Sequence, residues 1–181
     1  RIEPLDSYLK AIRAAIPADG IFVPGMTQIG YYSRLFYPVE QPGTYLNSSY
    51  FGNLGFAWPT AIGAKVAQPD RAVVAVSGDG GFLFNSQELA TAVQHGINAV
   101  VIVFNDNAFG NVMRDQEQRF NGRLVGSKLH NPDFVKLAEA YGARGIRAAE
   151  PSSLESALRD AIDADGPTLI EVPIGPVASP L

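Results

Sequence analysis

The sequence predicts an α/β fold: a doubly wound, mostly parallel sheet of about six strands with helices on both faces. Three observations predict it. Short apolar runs of strand length alternate along the chain with stretches of helical periodicity. One run, Val100-Val101-Ile102-Val103-Phe104, is unbroken apolar, as in a parallel strand covered on both sides. The helical stretches also carry their own start and stop signals, with capping residues before them and Gly96 and Gly142 after them.

Taken in order, a helix over Leu5–Ile16 precedes a strand at Ile21–Val23. A weaker strand is expected near Thr44–Leu46, then a helix over Trp58–Gln68 and a strand at Ala72–Val76. Asn85 and Glu88 have capping-box spacing ahead of Leu89, Ala92 and Val93, which share one helix face. The strand Ala99–Phe104 follows. Asn131-Pro132 reads as a cap with proline at the first helical position, before Phe134, Leu137, Ala138 and Tyr141. A weaker strand is expected at Gly145–Arg147. Ser152 and Glu155 have the spacing of a further capping box, and Thr168–Val172 is the last strand.

Composition narrows the function classes. The 181 residues suit one domain spanning 1–181, large enough for a real core. The Pro/Gly-rich stretch from Pro173 to Leu181 reads as a terminal tail. A net charge of −4 gives no basic footprint for nucleic acid or anionic membrane. No apolar run approaches the ~20 residues that span a bilayer. The absence of cysteine excludes disulfides and thiolate metal sites. Arg1–Pro4 lacks a signal peptide's apolar core, so a cytoplasmic home is expected. The chain begins without methionine and reads as part of something longer.

In a doubly wound sheet, ligands bind beyond the C-terminal ends of the strands, so the chemistry is sought in the loops there. After Val76 comes Ser77-Gly78-Asp79-Gly80-Gly81 and then a helix. The glycines let backbone amides approach a ligand, and a helix start favours anionic oxygens. Asp79 sets a carboxylate where an anion would sit. Two anions about 4 Å apart repel by roughly 4 kcal/mol at an effective dielectric near 20. A carboxylate beside phosphate therefore calls for a hard cation between them, and magnesium suits it. After Phe104 comes a second oxygen-rich turn, Asn105-Asp106-Asn107-Ala108-Phe109-Gly110. Adjacent parallel strands would bring Asp79 and Asp106 together. Each turn alone is more often only a turn. A dinucleotide fingerprint is rejected, because its third glycine would fall on Leu83, and no Gly-Lys-Ser/Thr phosphate loop exists.

Gly78-Asp79-Gly80, followed after 24 residues by Asn105-Asp106-Asn107, resembles the signature of the thiamine diphosphate-dependent enzymes. That signature is Gly-Asp-Gly and, at a similar distance, a pair of asparagines. Gly52-Asn53-Leu54-Gly55-Phe56-Ala57-Trp58-Pro59-Thr60 is similar to the family's segment against the aminopyrimidine, and Thr27-Gln28 stands where the family contacts pyrimidine and diphosphate. The resemblance spans Pro17 to Gln118 and is strongest to acetolactate synthases and benzoylformate decarboxylases. It implies a diphosphate-binding, C-terminal domain that holds thiamine diphosphate through Mg2+, with Asp79, Asp106 and the Ala108 carbonyl as metal ligands. It implies cofactor contacts from Thr27, Gln28, Gly78, Gly80, Gly81, Phe109 and Gly110. Leu54 would be the apolar wedge under the bent cofactor, and the Gly52 carbonyl would accept from its amino group, so both would contribute to catalysis. Val112 and Met113 would face the substrate. Two departures stand out: Asp106 replaces the second asparagine, adding charge, and the wedge is leucine where acetolactate synthases more often have methionine.

The implied reaction is decarboxylation of a 2-oxo acid, with the product protonated or carboligated. The family's activating glutamate belongs to a pyrimidine-binding domain of the same or another subunit, and no glutamate here stands in a matching segment. A homodimer or homotetramer is implied for the intact enzyme, and this domain alone is expected to bind without turning over. Two further readings stay open. One is a non-catalytic thiamine diphosphate-binding module, or a short subunit of a split 2-oxo acid decarboxylase or oxidoreductase. The other is a generic magnesium-phosphate domain of similar fold.

Overall fold

The computed structural model describes residues 1–48, 50–175 and 177. Position 176 and positions 178–181 of the expected tail lie outside the described residues. The elements run α1 (Leu5–Ala15), β1 (Ile21–Pro24), α2 (Gln28–Phe36), α3 (Ala57–Ala67), β2 (Val73–Gly78), α4 (Asp79–Leu83) and α5 (Glu88–Gln94). They continue as β3 (Val100–Asn105), α6 (Gly110–Arg119), α7 (Phe134–Ala140), β4 (Arg144–Arg147), α8 (Pro151–Ile162) and β5 (Thr168–Pro173). Among the described residues no helix is long and apolar enough to cross a membrane.

The strands form one five-stranded sheet, all pairs parallel, in the order β1-β2-β3-β5-β4. The run at Val100–Phe104 alternates as a strand must. Val100, Ile102 and Phe104 enter the hydrophobic layer under α1, α2 and α8, where Leu5, Ile12, Ile29, Leu154 and Leu158 pack. Val101 and Val103 enter the opposite layer, with Trp58, Leu89, Phe134 and Ala138 of α3, α5 and α7. Each large apolar side chain so buried contributes roughly 1.5–3 kcal/mol.

Among the described residues the expected sixth strand is reduced to one bridge. Tyr45 pairs with Phe22 of β1, the Phe22 amide donating to the Thr44 carbonyl at 2.8 Å and the Leu46 amide to the Phe22 carbonyl at 3.0 Å. This short edge still defines the winding. From β1 the chain goes outward to Tyr45, then returns to build β2 on the other side. The order therefore reverses between β1 and β2, where open α/β sheets bind their ligands.

Three expected caps are corrected. The helix after Asn85 begins only at Glu88; the Asn85 side chain donates instead to the Gly55 carbonyl at 2.8 Å, and Glu88 accepts from the Thr91 hydroxyl. The cap of α7 is Asp133, whose carboxylate accepts from the Val135 and Lys136 amides, because the Asn131 side chain is engaged elsewhere. At α8 the reciprocal pair is Glu150 and Ser153 with Pro151 between them, while Glu155 pairs with Arg159 at 2.9 Å. Gly96 and Gly142 do end their helices with positive φ.

Candidate functional site

At the C-terminal ends of β1, β2 and β3 lies a cavity of about 210 Å³. The switch between β1 and β2 brings the loop after β1 against the C-terminal end of β2. The Gly25 amide donates to the Val76 carbonyl at 2.7 Å, and Thr27 stands beside the α-carbon of Gly78. Thr27, Gln28, Gly52, Leu54, Gly78, Asp79, Gly80, Gly81, Asp106, Ala108, Phe109, Gly110 and Val112 all line this cavity. Met113 does not; it lines a smaller adjoining cavity of about 100 Å³, shared with Gln28, Asp106, Gly110, Arg114 and Glu117.

The two carboxylates meet as the parallel register requires, since Gly78 is paired with Phe104 across β2 and β3. Asp79 is 2% exposed, and burial raises its carboxyl above the ordinary range. Hydrogen bonds from the Gly80 amide, the Asn131 side chain and the Asn107 and Ala108 amides oppose that rise. Burial, and next the charge of Asp79, push the Asp106 carboxyl up to about 6. Among the described residues no lysine or arginine forms an ion pair with either. Nor do the described residues group three His, Cys, Asp or Glu side chains in one place, so a cation here would draw on two carboxylates plus backbone oxygen.

The second loop is shaped to offer such oxygen. Asn107 sits at φ 57°, in the left-handed region. Ala108 forms an isolated antiparallel bridge with Lys128. Its flanking bonds run from the Phe109 amide to the Ser127 carbonyl and from the Leu129 amide to the Asn107 carbonyl, so neither occupies the Ala108 carbonyl. The Ala108 amide donates to Asp106 Oδ1 at 3.2 Å.

The remaining wall is a mixture of polar and apolar groups. Gln28 is buried, and its side-chain oxygen has no hydrogen-bond partner among the described residues, an acceptor that a ligand donor would satisfy. Gly52, at φ 59°, turns the chain beside Met26 in a conformation that side chains rarely adopt. Leu54 is 40% exposed and sits over Gly81. The Gly80 amide donates to Asp79 Oδ1 at 2.8 Å, so in this arrangement it serves the carboxylate.

Sequence reasoning missed the residues behind the loops. Asn131, whose spacing predicts a cap, places its side-chain nitrogen 2.6 Å from Asp79 Oδ2 and 2.9 Å from Asn105 Oδ1. Asn105 in turn donates to Glu171 Oε1 at 2.8 Å, and Arg147 pairs with Glu171 Oε2 at 2.8 Å. Glu171 did carry a signal: it is an acid inside the apolar run Leu169–Val172, and such groups are buried only when partnered. His95 and His130 are exposed and lie outside both cavities.

With this geometry, the profile of the family described as "Thiamine pyrophosphate enzyme, C-terminal TPP binding domain" matches residues 25–172. The chain belongs to that family. It is 41% identical over 164 residues to the acetolactate synthase isozyme 3 large subunit of Escherichia coli, covering 90% of this chain and 28% of that protein. It is 42% identical over 174 residues to an acetolactate synthase of Bacillus subtilis, covering 96% of this chain and 30% of the relative. A probable 2-ketoarginine decarboxylase of Pseudomonas aeruginosa is 37% identical over 167 residues, covering 92% of this chain and 30% of that protein. The solved thiamine diphosphate-dependent 4-hydroxybenzoylformate decarboxylase of Rhodococcus jostii superposes with a TM-score of 0.86 at 33% identity, covering 95% of this chain and 32% of that one. The chain thus spans less than a third of the length of these relatives. Membership of the thiamine pyrophosphate enzymes links it to 2-oxo acid decarboxylating chemistry at the family level.

Proposed function

We propose that residues 1–181 form one domain that binds the diphosphate half of thiamine diphosphate through Mg2+. The domain works as part of an enzyme that decarboxylates a 2-oxo acid and protonates or carboligates the product. The observation that carries this reading is the pair Asp79 and Asp106, two carboxylates in one cavity that form no ion pair with a lysine or arginine among the described residues. A divalent cation would relieve that repulsion, with oxygens of the diphosphate available to complete its ligands. Asp79, Asp106 and the Ala108 carbonyl would hold the metal. Gly78, Gly80, Gly81, Phe109 and Gly110 would form the cradle around the diphosphate, with Thr27 and Gln28 on its other side.

When bound, the cofactor supplies a nucleophilic carbon and the electron sink that decarboxylation of a 2-oxo acid needs. The chain's own residues orient it. Leu54 would present an apolar wedge against the bound cofactor, and the Gly52 carbonyl would accept a hydrogen bond from its amino group. Val112, 51% exposed at the cavity, and Met113 in the adjoining one would face the substrate.

The remaining half of the site would come from a pyrimidine-binding domain of the same or another subunit, within a homodimer or homotetramer. Two observations support that. A cavity of about 210 Å³ is smaller than the roughly 300–1,000 Å³ of typical cofactor pockets. Tyr50 and Phe51, next to Gly52, are 94% and 85% exposed, as apolar groups are where another surface covers them.

The test is calorimetric titration with thiamine diphosphate, with and without Mg2+, on this domain and on the full-length protein. Binding that requires Mg2+ is expected. Equal binding without the metal, or equally tight binding of plain diphosphate, would overturn the reading.

A further inference from the structure

Behind the two loops a line of polar side chains runs from the surface to Asp79. Arg147, on the edge strand β4, is half exposed and pairs with Glu171, which is 4% exposed. Glu171 Oε1 accepts from the Asn105 side chain at 2.8 Å. Asn105 Oδ1 accepts from Asn131 Nδ2 at 2.9 Å, and the same nitrogen donates to Asp79 Oδ2 at 2.6 Å. Arg147 also reaches Asp133 Oδ1 at 3.2 Å. The segment Asn131–Asp133 is therefore tethered at both ends, to the site through Asn131 and to the edge of the sheet through Asp133.

The direction of every link is fixed by donor and acceptor count. Glu171, ion-paired with Arg147, only accepts, so Asn105 must turn its NH2 toward it and its oxygen toward Asn131. Asn131 must then turn its own NH2 toward Asn105. An amide nitrogen has two hydrogens, and here one goes to Asn105 and the other to Asp79. Flipping Asn131 would set oxygen against oxygen at both of its contacts, and flipping Asn105 would set oxygen against Glu171 and NH2 against the NH2 of Asn131. Asp79 Oδ1 is held separately by the Gly80 amide at 2.8 Å, so both oxygens of this buried carboxylate are fixed by donors.

We propose that Asn131 and Glu171 are positioning residues: Glu171 orients Asn105, Asn105 orients Asn131, and Asn131 holds the Asp79 carboxylate in the pose in which it meets a divalent cation. This rests on the reading of Asp79 as a metal-binding residue. Residues that orient a metal ligand through such hydrogen bonds commonly change metal affinity by about 10- to 100-fold when replaced.

The relay depends on Asn131 being a donor and not merely a filler of space, and this separates it from a structural role. Asn131→Asp keeps the shape but puts an acceptor against two acceptors, whereas Asn131→Ala removes the group. The full-length protein would be titrated with Mn2+ in the presence of thiamine diphosphate, with the bound ion followed by electron paramagnetic resonance and metal-free thermal unfolding recorded alongside. Asn131→Asp is expected to weaken Mn2+ binding by about 10- to 100-fold and by more than Asn131→Ala does, and to alter the spectrum of the bound ion. Should Asn131→Asp not fold, Glu171→Gln tests the same relay from its far end, since one of its new amide hydrogens must oppose either Asn105 or Arg147. It is expected to weaken Mn2+ binding about tenfold. An alanine effect equal to or larger than the aspartate effect, unchanged or tighter Mn2+ binding in Asn131→Asp, or unchanged affinity in Glu171→Gln would overturn the relay. Asp79→Ala is the reference: loss of Mn2+ there with wild-type binding in the Asn131 variants sinks the relay alone. Retention in Asp79→Ala sinks the metal assignment beneath it.

Discussion

The Phe109 ring lies so close to the α-carbon of Gly80 that a Cβ at position 80 would collide with it. Gly80 lies in the first turn of α4, directly after β2, and Phe109 in the loop after β3, and their contact locks the start of α4 on that loop. Gly80→Ala is expected to displace the ring and cost about 1–3 kcal/mol, the usual range for overpacking. Because the cost comes from that contact, Gly80→Ala combined with Phe109→Ala should lose less than the sum of the single variants. Urea unfolding of the four proteins measures this; strict additivity would show that the ring is not what opposes the new methyl.

Asp79→Ala should abolish Mg2+-dependent binding of thiamine diphosphate. It removes the more deeply buried of the two carboxylates and leaves Asp106 to face the diphosphate without its partner. Isothermal calorimetry checks this, and unchanged affinity would sink the site assignment.

Leu54→Ala should slow the full-length enzyme more than it weakens cofactor binding. Leu54 contacts the site through a partly exposed apolar side chain over Gly81, so its proposed effect is on the shape of the bound cofactor. Steady-state rates set beside cofactor affinity separate the two effects, and a normal rate would remove the wedge role.

The metal-free protein should respond to pH through Asp106. Its carboxyl rises from the ordinary 3.8 to about 6 on folding, through burial and then the charge of Asp79. The folded state retains a proton that the unfolded chain gives up, so this group's contribution to stability falls as pH rises from about 4 to about 6. Asp6 and Asp133, both lowered by their hydrogen-bond partners, act with the opposite sign, but they do so equally in wild type and in an Asp106 variant. Asp106→Asn should therefore be more stable than wild type above about pH 6, with the gap closing toward pH 4. Urea midpoints across that range test it; a gap that widened on acidification would reverse the assigned sign.

The fold was largely legible because its strands are covered on both faces. Val100–Phe104 can be satisfied only in the middle of a layered sheet, and β2, β3 and β5 fell where their apolar runs do. The edge of the sheet was less legible. Thr44–Leu46 has the residues of a strand, but among the described residues it contributes one bridge, between Tyr45 and Phe22. Local spacing predicts the caps, and two of them differ where a tertiary partner takes the side chain. Asn85 went to Gly55 and Asn131 to Asp79.

By itself the sequence determined the layered α/β plan, the two glycine- and asparagine-rich turns, and the thiamine diphosphate signature they carry. These are local properties, set by hydrophobic period and by residue types a few positions apart. Only the tertiary structure decided which polar groups stand behind those turns. Asn131 lies 52 positions from Asp79, and Glu171 lies 66 from Asn105. Their contacts exist because β5 inserts between β3 and β4 and carries Glu171 into the sheet beside Arg147. A buried carboxylate must find donors wherever the fold supplies them, and no spacing along the chain encodes that choice.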